Sequence, residues 1–90
     1  MAHIVRDKAK LLARVRRIRG QVEAIERALE SESGCADILQ IVASIRGAVS
    51  GLTFELVEDH VREHILGAPD AKSKAQGANE LIEVLRSYVK

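Results

Sequence analysis

Ninety residues allow one domain at most. With 47% hydrophobic and 30% charged residues, the chain reads as neither disordered nor membrane-embedded, and no uninterrupted apolar run approaches the roughly 20 residues that span a bilayer. The net charge of +1 hides a lopsided distribution: residues 1–20 carry seven basic residues against one acid, Asp7, and the rest carry seven basic and twelve acidic residues. Such asymmetry points to a polyanion-binding end on an acidic body. The opening MAHIVRDKAK lacks the apolar stretch of a secretory signal. A lone cysteine, Cys35, excludes an internal disulfide and suits a reducing cytoplasm.

From Leu11 the apolar residues fall at Leu11, Val15, Ile18, Val22, Ile25 and Leu29, a 4-3-4-3-4 rhythm that predicts a helix with one narrow apolar seam. SESG, ending at Gly34, stops it, so the first helix is expected over about 6–31. The second run, Ile38, Val42, Ile45, Val49, Leu52 and Leu56, is widened by Leu39, Ile41 and Val57 and uninterrupted until Gly67 and Pro69, which predicts a helix over about 35–66. A polar connector, APDAKSKAQG, then leads to a third helix over about 77–89 with Leu81, Ile82, Leu85, Tyr88 and Val89 as its stripe. Nothing alternates with period two for long enough to suggest strands. The expected fold is all-α, a single domain of three helices.

Helices of such length, about 40–48 Å at 1.5 Å per residue, cannot be wrapped by one copy of so short a chain, so an oligomer is expected. Gly47, Ala48, Ser50 and Gly51, in the middle of the second helix, mark a place for close helix contact.

EDHVREH sets His60 and His64 one helical turn apart, and two imidazoles alone hold a metal poorly. Cys35 lies 25 residues before His60 on the same expected helix, about 37 Å away, and cannot share a metal with it inside one chain. In an antiparallel pair of second helices centred near Ala48, Cys35 of one protomer meets His60 and His64 of the other. His3, the free N-terminus and Glu63 are the remaining candidate ligands. Four donors suit tetrahedral zinc; with the amine and Glu63 there are six, which suits nickel or cobalt. Residue types alone leave that choice open. HVREH also spells H-x-x-E-H, but a zinc protease needs a third protein ligand and a substrate cleft, and only 26 residues follow His64. An enzyme is not expected.

Lys10, Arg14 and Arg17, spaced by four and three, share a face of the first helix, with Arg16 and Arg19 beside it. Such a face neutralises phosphates. With Phe54 and Tyr88 the sole aromatic residues, a stacking platform for single strands is missing, so duplex DNA is the expected nucleic acid.

The segments IVRDK, RVRRIRGQVEAIERALE, ILQIVASIRGAVSGL and EDHVREHI, with a cysteine after a short loop, resemble the CsoR/RcnR/FrmR family of bacterial transcriptional repressors across essentially the whole chain. The resemblance implies an antiparallel dimer and a disc-like tetramer, cytoplasmic, which binds double-stranded operator DNA and is released by its effector. It is closest to the nickel/cobalt branch, whose histidine near the N-terminus, cysteine and paired histidines match His3, Cys35, His60 and His64. Glu63 matches a carboxylate of that branch, and the Ala2 amine is the last implied ligand. Gly34 departs from it where an acid can stand. The implied DNA contacts are Lys10, Arg14, Arg16, Arg17, Arg19 and Arg46. Two relatives of this reading stay open: a formaldehyde sensor acting through Cys35, which the first helix also resembles, and a zinc-responsive repressor. A helical metal-storage module without DNA affinity is the alternative of another class.

Overall fold

The computed structural model describes residues 7–89. The candidate ligands Ala2 and His3, and Arg6 as an expected helix start, lie outside them. The regular structure among the described residues is helical throughout: α1 (Lys8–Glu30), α2 (Cys35–Val61) running into a π-helical turn (Arg62–Leu66), and α3 (Ala71–Arg86). Residues 7–53 form one compact unit, and a second begins at Phe54.

In the first unit the expected seam of α1 is split. Leu11 and Ala28 are buried (6% and 9% exposed), and Ile18 and Ile25 are half-buried with them, but Val15, Val22 and Leu29 stand in solvent. The residues that share the inner face are instead Arg14 and Gln21, one step of the helix away. On α2 up to residue 53 the half-buried positions are Ile38, Ile41, Ile45, Ala48, Gly51, Leu52 and Thr53, while Leu39, Val42 and Val49 are exposed. The Arg14 guanidinium lies against Gly51. Residues 14 and 51 are about equidistant from the 31–34 turn, so α1 and this part of α2 run back alongside each other. The small-residue stretch thus divides: Gly51 meets a side chain of its own protomer, whereas Gly47 faces open space.

The turn between them is a Schellman motif. The Ser33 N–H donates to the Ala28 carbonyl (2.9 Å) and the Glu32 N–H to the Leu29 carbonyl (3.1 Å). Its left-handed residue is Glu32, at φ 55°, rather than the expected stop residue Gly34. Gly34 instead flanks the start of α2, its carbonyl accepting from the N–H groups of Asp37 (3.1 Å) and Ile38 (3.2 Å). A side chain in the left-handed region costs about 1–2 kcal/mol that glycine escapes, less glycine's own entropy cost. Glu32→Gly is therefore expected to raise stability by about 0.5–1 kcal/mol, read as a higher midpoint in thermal or urea unfolding.

The 32 residues Cys35–Leu66 are long and apolar enough, by length and composition alone, to cross a membrane. No long apolar run lies within it, since Asp37, Gln40, Ser44, Arg46 and Ser50 interrupt it at short intervals.

In the second unit α2 does not stay α-helical to Leu66, as its apolar rhythm suggests. Its last turn widens so that the Gly67 N–H donates to the Arg62 carbonyl at 2.9 Å. A Cβ on Gly67 would stand 2.8 Å from that oxygen and 3.3 Å from the Glu63 carbonyl, so glycine is what lets the chain close the turn. Arg62 and Glu58 bridge the junction at 2.7 Å in the open, which holds the guanidinium above its ordinary range through a hydrogen bond and opposite charge. Pro69, with no N–H to give, rules out further helix.

α3 begins at Ala71, not near 77, and ends at Arg86, not 89. The sequence reading treats the stretch as a polar connector, but Asp70 is an N-cap: its Oδ1 accepts the Ser73 N–H at 2.7 Å, and AKSKAQ behind it is made mostly of good helix formers. The same hydrogen bond holds the Asp70 carboxyl below its ordinary value. A lowered native value means a contribution to stability present above the ordinary carboxylate range and lost as pH falls through the lowered one. Asp70→Ala should lower the thermal midpoint near neutral pH, and the gap from wild type should close as the pH is taken through and below that range.

Candidate metal centre and nucleic-acid interface

His60 lies in the last turn of α2 and His64 in the π-helical turn after it. Their rings face each other at 4.9 Å between centroids, tilted by 37°. Both are half-buried, at one side of an open pocket of about 490 Å³. Glu63, Ser73, Gln76 and Glu80 line the same pocket.

What sets this geometry is Gly77. A Cβ there would collide with the His64 carbonyl oxygen and stand 2.8 Å from its carbonyl carbon and 3.0 Å from its Cβ, so α3 comes this close to the π-helical turn only because residue 77 has no side chain. The Gly77 carbonyl in turn sits 2.8 Å from His60 Nε2. A carbonyl only accepts, so Nε2 carries the proton, and the Nδ1 lone pair is left for a ligand. Backbone carbonyls commonly fix metal-binding histidines in this way. The Glu80 carboxylate stands 3.9 Å from the same nitrogen, beyond a hydrogen bond.

Cys35, exposed, is the first residue of α2. Among the described residues of one protomer, no three His, Cys, Asp or Glu side chains converge on a point. The convergent groups are the two imidazoles, a pair whose chemistry suits a nitrogen-preferring divalent ion, with Glu63 lining the same pocket. Ser73, Gln76 and Gly77 join the pocket from a segment whose sequence reads as a polar connector, and Glu80 from just beyond it. The signal for all four is the Asp-x-x-Ser cap after Pro69: it extends α3 back to Ala71 and carries these residues up beside the histidines.

Of the basic residues, Lys10, Arg16, Arg17 and Arg19 on α1 and Arg46 on α2 are exposed. Arg14 differs: it is half-buried, with Nε out of contact with solvent.

Residues 7–87 match the family described as metal-sensitive transcriptional repressor. The chain is 55% identical to an uncharacterised protein encoded in the bioA 5′ region of Serratia marcescens, with all of both chains covered. It is 42% identical, again over all of both chains, to the transcriptional repressor RcnR of Salmonella typhimurium. Its structure is similar to a glutamate-to-histidine variant of the formaldehyde-responsive regulator FrmR from Salmonella enterica serovar Typhimurium, with a TM-score of 0.85, 48% identity, and 93% of this chain and 96% of that one covered. The copper-sensing repressor CsoR with Cu(I), from Geobacillus thermodenitrificans, gives a TM-score of 0.87 at 27% identity, covering 94% of this chain and 88% of the other.

Proposed function

This chain belongs to the CsoR/RcnR/FrmR family of metal-sensitive transcriptional repressors, and from that membership we propose that it is released from operator DNA by nickel or cobalt. The observation that carries the metal reading is the histidine pair, with rings 4.9 Å apart and His60 Nε2 held by the Gly77 carbonyl so that Nδ1 is free to bind. The family acts as transcriptional repressors, not by catalysis, and a cytoplasmic repressor is part of this reading.

The working form in this reading is a homotetramer built from antiparallel dimers. Among the described residues Leu11 and Ala28 are the only buried apolar side chains, while Leu39, Val42, Val49 and Leu56 stand exposed along α2, too little for a core within one copy. A second α2 laid antiparallel on that stripe, centred near Ala48 and beside the open Gly47, covers it and sets Cys35 against the partner's histidine pair. That pairing also accounts for a helix apolar enough to cross a membrane: its cover is protein.

The ligands are then Cys35 of one chain and His60, His64 and Glu63 of the other, closed by His3 and the Ala2 amine. When bound, the ion supplies fixed charge and directional bonds to imidazole and thiolate. Closure by His3 draws the start of α1 to the site, and the basic residues that begin with Lys8 and Lys10 leave their register on the DNA. Exposed Lys10, Arg16, Arg17, Arg19 and Arg46 neutralise phosphates in the metal-free state.

The 48% identity to a formaldehyde-responsive regulator supports a second reading, in which exposed Cys35 reacts with the aldehyde. Fluorescence anisotropy separates the two. A labelled duplex of the intergenic DNA upstream of the gene is saturated with protein, and nickel, cobalt, zinc or formaldehyde is added. Release by nickel or cobalt and not by formaldehyde is expected. Release by formaldehyde alone turns the assignment to the second reading, and release by zinc alone to a zinc sensor.

A further inference from the structure

We propose that Gly51 is a seat for the Arg14 guanidinium, and that the seated side chain positions α1 on α2 instead of neutralising a phosphate, so that the exposed cations around it meet the DNA in register. This rests on the DNA-binding reading above and deepens it.

Arg14 follows Leu11 by three residues and precedes Ile18 by four, which puts it on the inner face of α1. A Cβ at Gly51 would stand 2.7 Å from Arg14 Nη1, 3.6 Å from Cζ and 3.9 Å from Nη2. The group therefore occupies the space a side chain at 51 would fill. Arg14 Nε is shielded from solvent, whereas Lys10, Arg16, Arg17 and Arg19 stand exposed.

Arginine suits such a seat. Its guanidinium is planar and weakly hydrated, and its stem packs against apolar surface while the charge stays in place. A cation held in a helix–helix contact contributes little counterion release, which comes from groups that exchange water for phosphate. The atoms that a Cβ at Gly51 would meet are the far end of a flexible side chain, not backbone. Gly51→Ala thus unseats Arg14 and removes no charge, and the helix keeps its course.

The test compares wild type, Arg17→Gln, Arg14→Gln and Gly51→Ala on the same labelled upstream duplex over a range of salt concentrations. Arg17→Gln is expected to flatten the dependence of log affinity on log salt by about 0.9 for each phosphate it no longer neutralises. Arg14→Gln and Gly51→Ala should both weaken binding severalfold and keep the wild-type slope. A slope flattened by Arg14→Gln as much as by Arg17→Gln, or wild-type affinity in Gly51→Ala, overturns the proposal. A thermal cycle without DNA judges the seat independently. Gly51→Ala should raise the midpoint in an Arg14→Ala background, where alanine simply favours the helix, and fail to do so when Arg14 is present. Equal shifts in both backgrounds overturn the seat. If the wild type binds no duplex at all, the repressor reading fails, and this cycle still decides the seat.

Discussion

Replacing His64 with alanine should abolish the response to nickel and cobalt while leaving the metal-free affinity for DNA unchanged. The cations proposed to neutralise phosphate stand on α1 and at Arg46, so a substitution at His64 on the π-helical turn removes none of them. Allosteric couplings of about 1–3 kcal/mol correspond to a change of about 5–150-fold in DNA affinity on effector binding. That change is what the variant loses, because the donor set loses one of two imidazoles held on one pocket wall. Anisotropy titrations with and without metal measure both quantities. Loss of DNA binding in the metal-free variant would count against this separation of roles.

The second large effect is on stability, and its sign is unusual. Glycine inside a helix normally gives way to alanine with a gain of up to about 1 kcal/mol. Gly20, where an added Cβ would meet nothing within 4 Å, should behave so. Gly77→Ala should do the reverse, because its Cβ meets the backbone carbonyl of His64, which cannot swing aside as a side chain can. Forcing α3 off the π-helical turn costs about 1–3 kcal/mol on the scale of overpacked cores. It also pulls the Gly77 carbonyl from His60 Nε2 and frees the ring to rotate. Thermal melts of the two variants should shift in opposite directions, and Gly77→Ala should weaken cobalt binding as well.

The three helices, and the length of the second, were legible because apolar residues recur every three or four positions over long stretches. Which of those residues turn inward was not. A 4-3 seam is compatible with more than one rotation of α1, and the choice falls to packing: Arg14 fits over Gly51, so Arg14 and Gln21 go in and Val15, Val22 and Leu29 face out. The start of α3 was readable from Asp70 and Ser73, whose cap is a local signal, and it was hidden only by the polar character of the segment around it. The widened turn at 62–66 has no such local mark. It follows from a contact between Gly67 and the carbonyls behind it and from the docking of Gly77, both of them properties of the folded chain. The histidine pair stood out at once. The groups that orient it did not, because a backbone carbonyl such as that of Gly77 leaves no trace in residue type.

In the proposed site the metal is shared, with the thiolate from one chain and the imidazoles from its partner. Mixing two inactive variants tests it most directly. Cys35→Ala and His64→Ala are each titrated with cobalt(II), then unfolded together, refolded and titrated again, following the near-ultraviolet thiolate-to-cobalt absorption. Neither variant alone should give the band. In a symmetric dimer with two shared sites, the mixture should regain about a quarter of the wild-type intensity, because half the dimers are mixed and each carries one intact site. No band in the mixture, with wild type treated in the same way recovering its own, would contradict a site shared between two chains.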